Sequence, residues 1–203
     1  MLSFFTFLRD IRTIRTALLI SIVLFVVGGI AGWFGTSTLE KILLQQLEGL
    51  GEISTKLKDS ENPQWSFFVF IFWNNVIKGV VIIFLGALFG ILPALFLLIN
   101  GAVIGYLIHI SAQQGQDLFT LIVKGLLPHG IIEIPAIIIA CAFGLHFGAK
   151  VFSSMFNRTS EKESRSVGWS IFMRQTLTAS FWTIILLFVA AVIESTLTFA
   201  LLS

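Results

Sequence analysis

The sequence predicts an all-α, polytopic transmembrane helical bundle with about five spans. Three observations lead there. Of 203 residues, 56% are hydrophobic and only 12% charged, about half the charged share of a water-soluble chain. Mean hydropathy is +0.95. The apolar residues, 21 Phe among them, fall in runs long enough to cross a bilayer core of about 30 Å, which takes roughly 20 helical residues. Disordered, disulfide-rich secreted and nucleic-acid-binding classes are excluded. A net charge of +2 names no anionic partner, and Cys141 alone supplies neither a disulfide framework nor a cysteine metal site.

The first run, residues 17–34, follows Arg9, Arg12 and Arg15. It is longer than the apolar core of a signal peptide, and Gly28, Gly29 and Gly32 suit helix packing, so it is expected to be a retained span. Residues 39–58 differ in kind. Leu39, Ile42, Leu43, Leu47, Leu50, Ile53 and Leu57 recur at helical spacing among Glu40, Lys41, Gln45, Gln46, Glu48, Glu52 and Lys56. That pattern is an amphipathic helix lying on the membrane or capping the bundle, ended by Ser60-Glu61-Asn62-Pro63.

Residues 67–111 would make a helix about 68 Å long, more than twice the bilayer core. The chain must fold back, and Gly90-Ile91-Leu92-Pro93 marks the place, giving spans at 67–89 and 93–112. Residues 118–150 are again too long for one straight span. Pro128, Gly130 and Pro135 divide them into a half-helix at 118–127 and a span at 130–150, a broken element across 118–135. Residues 151–170, polar and of mixed charge, are expected to be a cytoplasmic loop. Residues 171–202 form the last span.

Basic residues orient the chain. Arg9, Arg12, Arg15, Lys150, Arg158, Lys162, Arg165 and Arg174 fall on one side, against Lys41, Lys56 and Lys58 on the other. The positive-inside rule then puts the N-terminus on the inner side of the membrane, the C-terminus on the outer side and the amphipathic helix on the extracytoplasmic face.

Polar residues at membrane depth are the candidate site: Asn74, Asn75, Lys78, Asn100, His129, Glu133 and Glu194. An ionisable side chain near mid-span costs at least about 2.5 kcal/mol on insertion scales and points to function by default. Asn74, Asn75 and Lys78 share one helix face. Structural uses are open as well: Lys78 paired with Glu133 or Glu194, the asparagines bonding between helices, and Glu194 reaching the headgroups. Pro128, Gly130 and Pro135 are the expected broken-helix hinge, since irregular backbone at membrane depth is tolerated against protein or a water-lined cavity.

No enzyme signature accompanies these residues. His129-x-x-x-Glu133 lacks the second histidine of a zinc helix, and neither a nucleophile elbow nor a phosphate-binding glycine loop is present. The chain is therefore expected to be no enzyme and to need no metal or cofactor. The Gly-x-x-x-Gly pairs 28/32, 86/90, 101/105 and 144/148 signal close helix contacts, within one chain or in a homo-oligomer.

At Asn100-Gly101 with Gly105, and at Leu127-Pro128-His129-Gly130-x-x-Glu133-x-Pro135-Ala136, the chain resembles the stage II sporulation protein M (SpoIIM) family of membrane proteins. Asn75 before Gly86 and Gly90, and Gly144-Leu145, support the match from about residue 67 onward. The resemblance implies an all-helical protein of the cytoplasmic membrane. The family's founding member is linked to septal wall thinning and engulfment, where it is thought to scaffold wall-degrading partners, and relatives occur in organisms that make no spores. Two functions are thus expected to compete. One is a membrane scaffold recruiting envelope-remodelling proteins through the amphipathic helix and the 151–170 segment. The other handles membrane lipids, scrambling phospholipid or moving a lipid carrier along an intramembrane polar groove.

Overall fold

A computed structural model describes residues 2–35, 37–120, 122, 127–156 and 162–202, without the side chains at 37–40, 42–43, 46–48, 50, 127–129, 156, 162–167 and 197–202. The regular elements among the described residues are all helices: α1 Phe4–Thr13, α2 Arg15–Trp33, α3 Ser37–Lys58, α4 Pro63–Leu85, α5 Ile91–Gln113, the single turn α6 Leu118–Thr120, α7 Leu127–Phe156 and α8 Lys162–Leu202. Five of them contain stretches long and apolar enough to cross a membrane: Arg15–Trp33, Pro63–Leu85, Ile91–Gln113, Gly130–Met155 and Gly168–Thr196. Large apolar side chains such as Leu19, Val23, Trp73, Ile99 and Phe188 are exposed around the bundle, an arrangement that lipid tolerates and water does not.

The expected fold-back is a tight turn. Phe89 and Gly90 both adopt positive φ, 56° and 75°, which a glycine takes at little cost and a phenylalanine does not. Pro63 opens α4 behind the N-cap Asn62, whose side chain accepts from the Trp65 backbone N–H at 3.3 Å.

Glycines set the packing. A Cβ on Gly28 would fall on the Leu98 carbonyl, one on Gly32 on Ala102, one on Gly101 on Phe25 and one on Gly105 on Gly29. Residue numbers rise together on both sides, so α2 and α5 run parallel with their backbones in contact. Gly86 meets Gly144, and Gly148 meets the Phe89–Gly90 turn, in the same manner. All four Gly-x-x-x-Gly pairs are filled within the chain, so self-association through those faces would first have to separate helices.

Helix α7 sits at the centre, packed against α2, α4, α5 and α8. Its Ala140, Cys141, Ala142 and Phe143 join Ile83, Leu97 and Ala179 in the main core. Val76, Ala136 and Leu187 form a second cluster, while Phe147 stacks edge-on to Phe172. These contacts make α4 parallel to α7 and α8 antiparallel to both. Hydroxyls buried on α8 bond back into their own helix, Thr176 to the Phe172 carbonyl at 3.0 Å and Ser180 to that of Thr176 at 2.9 Å.

Three expectations need correction. The hinge does not lie at Gly130 or Pro135, because α7 continues through both. Pro135 is exposed and lies inside the helix, which continues past it, and Pro128 falls in the first turn, where a missing N–H costs least. Of the half-helix at 118–127, only α6, Ile122 and Leu127, the first residue of α7, are described; residues 121 and 123–126 lie outside the described residues. The 151–170 loop is largely helix, with α7 reaching Phe156 and α8 starting at Lys162. Polar composition marks where a helix leaves lipid, not where it ends.

The sequence pattern also contained an element left unassigned above. Phe4, Phe7, Ile11 and Ile14 recur at helical spacing, and α1 and its C-cap residue bury Phe7 and Ile14 against the bundle. Trp182 Nε1 donates to the Leu2 carbonyl at 3.0 Å, and its ring packs on Phe4 and Phe7.

Candidate functional site

Three ionisable residues from three helices converge. Val76, Ala136 and Leu187 fix the register. At 1.5 Å per residue, Lys78 lies about 3 Å from that level towards the end of the bundle carrying Arg15, Lys150 and Arg174, here termed the basic end. Glu133 lies about 4.5 Å and Glu194 about 10 Å towards the opposite end. Side chains on a helix lean towards its N-terminus. On the parallel α4 that leans Lys78 towards Glu133, and on the antiparallel α8 it leans Glu194 back towards Glu133. Lys78 is accordingly close enough to act electrostatically on Glu133, and Glu133 close enough to act on Glu194.

The surroundings of the three differ. Glu133 and Glu194 are half-buried, whereas Lys78 is exposed on the flank of α4. The deep lysine thus lies within electrostatic reach of Glu133 without being enclosed. Asn74 and Asn75, both half-buried, extend the stripe along α4, and Asn74 Nδ2 donates to Asn75 Oδ1 at 3.2 Å. These residues are four and three positions before Lys78, one turn away on the same face.

Asn100 is placed differently. Its Nδ2 donates to the Phe96 carbonyl of its own helix at 2.7 Å, and among the described residues no hydrogen bond joins it to the charged group. His129 belongs to the first turn of α7, but its side chain, like that of Pro128, lies outside the described residues. Among the described residues no three His, Cys, Asp or Glu side chains are grouped to hold a metal ion.

Near Glu194, an open groove of about 540 Å³ between α4 and α8 is lined by Trp65, Phe68, Phe188, Val192, Ser195 and Thr196, together with Asn62 and Gln64. Phe188 packs edge-on against both Phe68 and Phe72. Sequence reasoning missed this groove, since its aromatic residues come from two helices more than a hundred residues apart.

Comparison with known proteins decides the family. Residues 21–199 match the family described as Stage II sporulation protein M. The chain belongs to the SpoIIM family. The match takes in four of the five apolar helices whole and the first from residue 21, and with their composition it makes this SpoIIM member a multi-pass membrane protein. An uncharacterized protein of Methanocaldococcus jannaschii is 27% identical over 143 residues, 70% of this chain and 61% of the relative. The SpoIIM chain thus spans under two thirds of that relative's length. No solved structure matches it.

Proposed function

We propose that this SpoIIM-family protein handles membrane lipids, letting a phospholipid headgroup move along the flank of α4 and α7 while the acyl chains stay in the bilayer. The observation that carries this reading is Lys78. An ammonium at membrane depth is costly, and one kept only for structure is best enclosed with its partner. Lys78 instead lies exposed on the bundle flank, within reach of Glu133. A phosphate would meet Lys78, a cationic headgroup the carboxyls of Glu133 and Glu194, and Asn74 and Asn75 would hydrogen-bond what passes. The work is transfer rather than catalysis. On this reading the basic end faces the cytoplasm across the cell membrane, and the C-terminus lies outside.

The test is reconstitution into liposomes with fluorescent lipid in both leaflets, followed by quenching with an impermeant reductant. Quenching beyond the outer-leaflet share, lost in Glu133→Gln and Lys78→Ala with vesicles sealed, supports the proposal. Quenching confined to the outer leaflet in the unaltered protein overturns it.

A second reading, a scaffold for envelope-remodelling proteins, is favoured by α3. Leu44 tucks against Ala102 and Tyr106, while Lys41, Gln45, Glu52 and Lys56 remain exposed. Replacing residues 39–58 by a neutral linker would abolish partner capture in that case and leave lipid movement intact.

A further inference from the structure

We propose that the basic end of the bundle holds an anionic phospholipid, one acyl chain lying between α2 and α7 and the phosphate on Arg12 and Arg15. The site is separate from the Lys78 group and does not depend on the function proposed above. A groove of about 430 Å³ opens there, lined among others by Ala17, Ile20, Phe89, Leu145 and Phe152. The lining is apolar, as an acyl chain requires, and its floor is stiff because Gly148 abuts the backbone of the Phe89–Gly90 turn.

Charge selects the occupant. Thr16 is the groove's first α2 residue, and Arg15 directly precedes it. Arg9, Arg12 and Arg15 are all exposed, whereas the one acid of this segment, Asp10, is turned inward, 3% exposed, and receives a hydrogen bond from Gln175. The arginines are thus left without a neutralising carboxylate from α1 or from the first turn of α2. Helix α1 fixes their depth. It runs antiparallel alongside α8, from Leu2 at Trp182 to Asp10 at Gln175, with Phe4, Phe5 and Leu8 exposed on its flank, and this places the guanidinium groups at the basic end of the bundle. A zwitterionic lipid fills the groove equally well but leaves the arginines unmatched. Anionic headgroups gain about fivefold in binding for each basic residue near the surface.

The full chain, delipidated in detergent, would be titrated with phosphatidylglycerol and with phosphatidylcholine, and retained lipid counted by native mass spectrometry. Preferential retention of phosphatidylglycerol is expected, with the preference falling about fivefold in Arg12→Gln and again in Arg12→Gln/Arg15→Gln. Ala149→Trp, which fills the groove without altering charge, should lower retention of phosphatidylglycerol while Cys141 stays protected from thiol dye. Equal retention of the two lipids by the unaltered protein would overturn the proposal. So would an equal loss of preference in Arg174→Gln, which points to a diffuse basic surface, or full retention in Ala149→Trp.

Discussion

Gln175 donates from its side-chain amide to Oδ1 of Asp10 at 3.2 Å, joining the last helix to the first across 165 residues. With the Trp182 bond to the Leu2 carbonyl, it gives α1 two polar attachments to α8 besides the burial of Phe7. Asp10→Ala should cost about 1–3 kcal/mol, the range for a lost hydrogen bond to a charged group that leaves its partner unsatisfied. Asp10→Asn, which keeps an acceptor oxygen, should cost less. Thermal unfolding in detergent, with limited proteolysis at the N-terminus, measures both effects.

The α2–α5 seam predicts a contrast between glycines. Gly105→Ala places a methyl group on the Gly29 carbonyl and should destabilise the bundle by at least about 1–3 kcal/mol, as overpacking does. At Gly49 on α3 a Cβ meets nothing within 4 Å, so Gly49→Ala should be neutral or stabilise by up to about 1 kcal/mol through helix propensity. Melting temperatures of the two variants, side by side, check the pair.

Lys78 and Glu133 should be energetically coupled. A double-mutant cycle with Lys78→Ala and Glu133→Gln is expected to give an interaction of about 0.5–3 kcal/mol, as for residues in one charged network. Zero coupling would remove the electrostatic basis of the site. The charge swap Lys78→Glu/Glu133→Lys should recover more stability than the two single variants imply.

Cys141 reports on the integrity of the bundle. It is the chain's one cysteine and is fully buried in the central core. A thiol-reactive dye should leave it unlabelled in the folded protein and label it in one cooperative step on heating. Labelling at low temperature would mean that α7 is not enclosed as described.

Much of this architecture was legible because lipid imposes a simple rule on composition: residues 67–111 were too long for one span and contained a Gly-Pro break, and they do fold back at Phe89–Gly90. The α3 pattern was legible for the same reason. The rule fails where a helix leaves the membrane. Residues 162–170 are polar yet helical, because a helix emerging into water needs no apolar stripe. Pro135 misled in the opposite sense, since α7 continues through it. Within the site, the common face of Asn74, Asn75 and Lys78 followed from spacing. That Asn100 stays apart and that Glu194 joins Glu133 could not be read, because helix rotation and register are set by packing partners distant in sequence.

The parallel pairing of α2 with α5 bears on how the protein is made. Parallel neighbours cannot be joined by a short turn, and here the partners of the seam, Gly28 and Leu98, are 70 residues apart, 98 less 28. During synthesis α2 emerges long before the surface it packs against exists. It must dwell alone in lipid as an apolar helix, its glycine stripe uncovered, until α3 and α4 have been threaded and α5 arrives. A nascent chain halted after residue 90 should therefore carry an unmated first helix, open to capture by chaperones of the insertion machinery. One extended beyond residue 113 should not.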